Sequence, residues 1–222
     1  MRATLALLLL LFLVPPVLAQ DQRPGSFVDA AKVVPGLAVE IRYAGDNNFV
    51  GRPIDGYEKP LCLLTRQAAQ ALAEVARDLE PRGLKLKVFD CYRPKRAVAH
   101  FLRWAQAVTD VKNKSAYYPD FDKRELFANG YISANSGHSR GSTVDITLVG
   151  KAGELDMGTP FDFLSRRSNT LNPAIGKEAL NNRVLLALAM SRRGFRAYDK
   201  EWWHFTLRGE PFPETYFDFP VR

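Results

Sequence analysis

From Thr143 to Leu148 the chain alternates strictly, with Val144, Ile146 and Leu148 apolar and Thr143, Asp145 and Thr147 polar. Period two is the pattern of a strand with one face in a core, and it puts Asp145 on the opposite face. Directly upstream runs Ser136-Gly137-His138-Ser139-Arg140-Gly141-Ser142, a histidine in a loop flanked by glycines. Any fold for this chain must therefore place a glycine-flanked loop histidine just ahead of a strand that carries a carboxylate on its polar face.

The other elements are less tightly constrained. Leu37–Tyr43 alternates and reads as a strand, and Ala44–Glu58, with three glycines and Pro53, reads as a long loop. Thr65–Leu79 predicts an amphipathic helix with Ala68, Leu72, Val75, Ala76 and Leu79 on one face, ended by Pro81 and Gly83. Leu84, Leu86 and Val88 alternate with Lys85 and Lys87 as a strand with one wet face. Asp90–Arg93 then turns into a second helix, Pro94 suiting its first position. Within that helix Val98, Phe101, Leu102 and Ala105 form the expected inner stripe.

Lys112–Phe127 and Met157–Pro173 read as irregular, and Gly150–Gly153 as a hairpin turn. Glu178–Arg193 predicts a helix with Leu180, Val184 and Leu188 inward and Leu185 a further candidate for that face, stopped by Gly194. Phe195–Tyr198 and Trp203–Leu207 read as strands, and the proline-containing tail as extended over the surface. Strands and helices without regular βαβ alternation imply an α+β fold around an antiparallel sheet.

The first nineteen residues read as a signal peptide. Arg2 precedes the apolar run Leu5–Val14, and Val17-Leu18-Ala19 forms a small-residue cleavage site. The run falls short of the roughly 20 apolar residues that cross a bilayer, so no stable membrane span is expected after cleavage. Residues 20–222 are expected to form one domain, exported and periplasmic. The formal net charge of +7 is scattered rather than massed, so it suggests an anionic surface rather than nucleic acid as neighbour. In such a compartment Cys62 and Cys91 can form a disulfide or remain two buried thiols; the sequence leaves both open.

Three histidines occur, and His100 reads as a packing or surface residue. His138, Asp145 and His204 together make a plausible three-ligand set for a catalytic zinc ion, with a fourth position left for water. Glu201 lies three residues before His204 in Glu201-Trp202-Trp203-His204. In a regular strand those two would face opposite ways, so a bulge or a preceding loop must bring them together. Glu201 is then the candidate general base and Arg93 the candidate oxyanion stabiliser. The spacing alone is equally compatible with a loop histidine, a solvated strand carboxylate and an exposed Glu–His pair flanking core tryptophans.

Ser-x-His-x-x-Gly-x-x-x-Asp followed by Glu-x-x-His resembles the zinc peptidases that act on D-amino-acid peptides of bacterial cell walls. Among these the chain is similar to the D-alanyl-D-alanine dipeptidases of peptidase family M15, the type first associated with vancomycin resistance. The likeness extends to Arg42-Tyr43-Ala44, Asn48–Pro53, Tyr92–Val98, Met157–Asp162 and Tyr216–Pro220. It implies a Hedgehog/DD-peptidase-like fold, a small central antiparallel sheet flanked by helices. It also implies one Zn²⁺ held by His138, Asp145 and His204, with Glu201 as base and Arg93 polarising the scissile carbonyl. Tyr43, Ser136 and Asp162 then match positions near the termini of a D-Ala-D-Ala dipeptide. The signal peptide sets the chain apart from a resistance enzyme, which must act where the dipeptide is made, and favours D-alanine recovery or wall turnover. A D,D-carboxypeptidase of longer stem peptides and a non-catalytic wall-peptide-binding zinc domain are the alternatives.

Overall fold

The computed structural model describes residues 21–222, so the signal-peptide expectation for residues 1–19 lies outside the described residues. The strands are β1 (Phe27–Asp29), β2 (Ala38–Val39), β3 (Leu63–Thr65), β4 (Lys85–Asp90), β5 (Thr143–Gly150), β6 (Gly153–Glu154), β7 (Phe195–Tyr198) and β8 (Glu201–Leu207). The helices are α1 (Arg66–Leu79), α2 (Lys95–Gln106), α3 (Lys114–Tyr117), α4 (Lys123–Ala128) and α5 (Lys177–Arg192). The main sheet runs β2-β4-β5-β8-β7, with β6 hairpinned onto β5. All its pairings are antiparallel except the short β2–β4 contact. The α+β expectation holds.

β5 is the middle strand. Val144, Ile146 and Leu148 are fully buried as their alternation requires, and the polar set Thr143, Asp145 and Thr147 is buried too. The polar face of β5 is thus covered by protein rather than by bulk water. α1 buries each of the five residues its periodicity selects. Its first turn is capped by Thr65, whose hydroxyl accepts the Ala68 N–H and pairs with Ser142. Gly83, in the left-handed region at φ 68°, lets the chain reverse into β4.

Four expectations need correction. Leu37–Tyr43 is extended only at Ala38–Val39; Arg42–Ala44 is a 3-10 turn that rotates Tyr43 inward to bond Asp162. Lys112–Phe127 is not irregular throughout, because α3 and all of α4 but Ala128 fall within it. α4 is nucleated by Glu125, whose carboxylate accepts the Asp122 N–H. α5 is turned by one residue, about 100°, from its expected face. Ala179, Arg183, Leu186 and Met190 are inward, whereas Leu188 is 53% exposed. Apolar residues surround most of α5, so periodicity does not select a face; the buried Arg183 does. Finally, the C-terminal tail is threaded inward rather than laid over the surface. Phe219 and Val221 are buried, Tyr57 pairs with Val221, and the Phe217 N–H bonds the Ser139 carbonyl behind the histidine loop.

Cys62 and Cys91 are joined in a disulfide, Cα atoms 5.2 Å apart. It staples the start of β3 to the segment just after β4. No helix among the described residues is long and apolar enough to cross a membrane.

Candidate metal centre

Sheet register builds the site. Asp145 of β5 lies directly opposite His204 of β8, and on its other side opposite Asp90 of β4. Side chains at opposed positions project to the same face and meet. His138 joins them from the 3-10 turn Gly137–Arg140, which is capped by Ser136 accepting the His138 N–H. That turn ends at Gly141, φ 80°, where a Cβ would strike the Phe27 ring at 2.1 Å, so only glycine fits.

Three donor atoms converge. His138 Nε2 is 3.2 Å from Asp145 Oδ1, His204 Nδ1 is 3.1 Å from the same oxygen, and the two nitrogens are 3.3 Å apart. The His138 Nδ1–H donates to the Cys91 carbonyl at 2.7 Å. A carbonyl can only accept, so this bond leaves the Nε2 lone pair aimed at the cluster. With the His204 Nδ1 lone pair turned to the same point, three acceptor atoms face one another as the ligands of a cation do. Tetrahedral zinc at about 2.0–2.1 Å from nitrogen and oxygen ligands sets ligand–ligand edges at about 3.3 Å, which this donor set matches. His138 and Asp145 are buried and His204 half-buried.

Glu201, 8% exposed, approaches the cluster with its carboxylate 3.6 Å from His204 Nδ1. A register break makes this possible: Ala197 pairs with Phe205 but Tyr198 with Glu201, so Trp202–His204 bulge out of the β7–β8 ladder. Burial, then the charges of Asp145 and Asp162, push the Glu201 carboxyl well above its ordinary range. For Asp145, burial is outweighed by His138 and His204, which hold its carboxyl below the usual range. Burial lowers the His204 imidazole, against the pull of Asp145.

Arg93 lies across the opening. Its guanidinium donates to Asp90 through Nε at 2.9 Å, pairs with the same carboxylate through Nη2 at 2.8 Å and reaches Asp145 at 3.6 Å. It also lies over the Tyr43 and Phe101 rings. Asp90 and Asp145 are like charges facing across two strands, and Arg93 is the cation that makes their juxtaposition tolerable. Asp90 is a further site residue, with its second oxygen accepting the Tyr57 hydroxyl at 2.6 Å. Its only sequence signal is its place three residues before Arg93.

The remaining predicted residues line the same cleft, a cavity of about 200 Å³. The Tyr43 hydroxyl donates to Asp162 at 2.9 Å. Asp162 is buried and adopts φ 60°, a left-handed conformation uncommon outside glycine, although aspartate tolerates it better than most residues. Burial, reinforced by Asp145, pushes its carboxyl up to about 8. Ser136 is at the rim; its oxygen accepts the His138 N–H, leaving the O–H to donate into the cleft. His100 stands apart, bonded to the Asp55 N–H.

Comparison with known proteins places the chain in a family. The family model for peptidase M15, described as D-ala-D-ala dipeptidase, matches residues 23–222. A D-alanyl-D-alanine dipeptidase of Enterococcus faecium is 41% identical over 199 residues, 89% of this chain and 98% of that protein. One of Enterococcus faecalis is 42% identical over 197 residues, 88% and 98% respectively. A solved vancomycin-resistance D,D-pentapeptidase in complex with Zn(II) aligns at 14% identity and a TM-score of 0.41, over 70% of this chain and 78% of that one. The class is a peptidase of metallopeptidase type. Within it, the chain belongs to the D-alanyl-D-alanine dipeptidase family of M15.

Proposed function

We propose that this protein hydrolyses the free D-Ala-D-Ala dipeptide to D-alanine with one zinc ion held by His138, Asp145 and His204. The observation that carries the reading is the triangle of donor atoms with 3.1–3.3 Å edges, with Glu201 beside it and Arg93 across from it. A bound zinc ion supplies Lewis acidity and acidifies the attacking water. Glu201 takes the water's proton and passes it to the leaving amine. Arg93 donates to the scissile carbonyl oxygen as negative charge builds there. It is held ready by Asp90, so it need not reorganise.

Asp162 receives the substrate ammonium and Ser136 donates to the carboxylate, while Tyr43 fixes the Asp162 carboxyl. A cleft of about 200 Å³ lies below the range of ~300–1,000 Å³ typical of drug-sized ligands. A dipeptide with both charged ends satisfied suits it better than a stem pentapeptide, which would bring an uncharged amide against Asp162. That favours the dipeptidase reading over the carboxypeptidase one. A purely structural zinc domain needs neither Glu201 nor Arg93. Export to the periplasm is supported by the Met1–Ala19 pattern and by the Cys62–Cys91 bridge, which suits an oxidising compartment.

The test is hydrolysis by zinc-loaded protein of D-Ala-D-Ala, L-Ala-L-Ala and a pentapeptide ending in D-Ala-D-Ala. Turnover of the first alone is expected. Preferential release of D-alanine from the pentapeptide would replace this reading with the carboxypeptidase one.

A further inference from the structure

Arg183 is the one arginine among the described residues with no exposed surface, and it forms no ion pair with any of them. A buried charge without a counter-ion is costly unless its donors are satisfied. Here they are satisfied by a single loop. Nε donates to the Met157 carbonyl at 2.7 Å, Nη1 to those of Arg167 and Asn169 at 3.0 and 2.7 Å, and Nη2 to the Thr159 hydroxyl at 3.2 Å. These acceptors lie on both limbs of the Met157–Thr170 segment, and the apex of that segment is Phe161-Asp162-Phe163. Thr159 carries the network further. Its hydroxyl also accepts the Trp202 indole N–H at 2.9 Å and pairs with Ser168, which in turn bonds the Phe163 carbonyl. One guanidinium therefore ties the two limbs together and links them to the residue next to Glu201.

We propose that Arg183 is a positioning residue for substrate recognition: by drawing the two limbs of this loop together it holds Asp162 where the substrate ammonium arrives. The inference rests on the reading of Asp162 as the ammonium partner. The left-handed backbone at Asp162 is the second mark of the constraint. A residue held at φ 60° persists where the surroundings over-determine it, and here the limbs on either side of Asp162 are pinned by four hydrogen bonds from one rigid planar fork. Lysine offers a compact ammonium on a flexible stem and cannot reproduce that fork.

The experiment compares Arg183→Met, Arg183→Lys and Thr159→Val with wild type, using D-Ala-D-Ala, with kcat expressed per bound zinc. The ammonium contact is made in ground and transition states alike, so its loss raises KM and spares kcat. KM for D-Ala-D-Ala is expected to rise about tenfold in both Arg183 variants, equivalent to about 1.4 kcal/mol, and less in Thr159→Val. Should Arg183→Met be recovered unfolded, the other two variants carry the comparison. A merely structural Arg183 would lower thermal stability and the active fraction with KM intact, which overturns the inference. Asp162→Asn is assayed in parallel. If it raises KM while the other variants do not, the inference alone fails; if Asp162→Asn leaves KM unchanged, the ammonium reading fails and the inference with it.

Discussion

At the scale of single residues, three donor atoms and two neighbours carry the chemistry. Glu201→Ala removes a proton carrier without touching a donor atom. It should keep zinc and lose about 10²–10⁴ in kcat, read by elemental analysis beside a steady-state assay; surviving turnover would show that another group is the base. His138→Ala should lose zinc and turnover together. Asp162 gives a pH signature. Its carboxyl, ordinarily near 3.8, is raised to about 8 in the folded, metal-free protein, so the folded state holds the proton more tightly than the unfolded one. Its stabilising contribution is full below pH 4 and is lost as pH rises towards 8. Urea titrations in chelator should therefore show stability falling more steeply over that window in wild type than in Asp162→Asn, and equal slopes would contradict the assignment. Asp145 and His204 are legible in the sequence because strand alternation and the Glu-x-x-His spacing mark them. Asp90 is not, because it needs the facing strand to give it a role.

At the scale of elements, the site is assembled by register. The strands bring Asp90, Asp145 and His204 abreast, and the bulge in β8 recovers Glu201 for the same face. The Cys62–Cys91 bridge fixes the segment whose carbonyl orients His138 and whose Arg93 spans the cleft. Replacing both cysteines with alanine should cost about 2–5 kcal/mol, measured as a lower urea midpoint, and an unchanged midpoint would show the bridge to be dispensable. α1, β4, β5 and the Gly150–Gly153 turn follow from periodicity and turn residues alone. α5 does not, since an arginine ordinarily marks the wet face of a helix and this one is buried against carbonyls. The tail is misread for a related reason: its prolines signal extension but not that Phe219 and Val221 fill the core.

At the scale of the molecule, one sheet carries a small cleft on its covered polar face. The sequence conveys the α+β class and the convergence of the site residues. It does not convey the cleft's closure, because that depends on the Met157–Thr170 loop and on Tyr43 turning inward, both set by contacts distant along the chain. The central claim is that two imidazoles and one aspartate jointly hold a single zinc ion. The most direct test is X-ray absorption at the zinc edge on protein loaded with one equivalent of metal. The account predicts two imidazole nitrogens and carboxylate or water oxygens at about 2.0–2.2 Å, with no sulfur. A sulfur scatterer near 2.3 Å, or a shell of oxygens without imidazole, would contradict it.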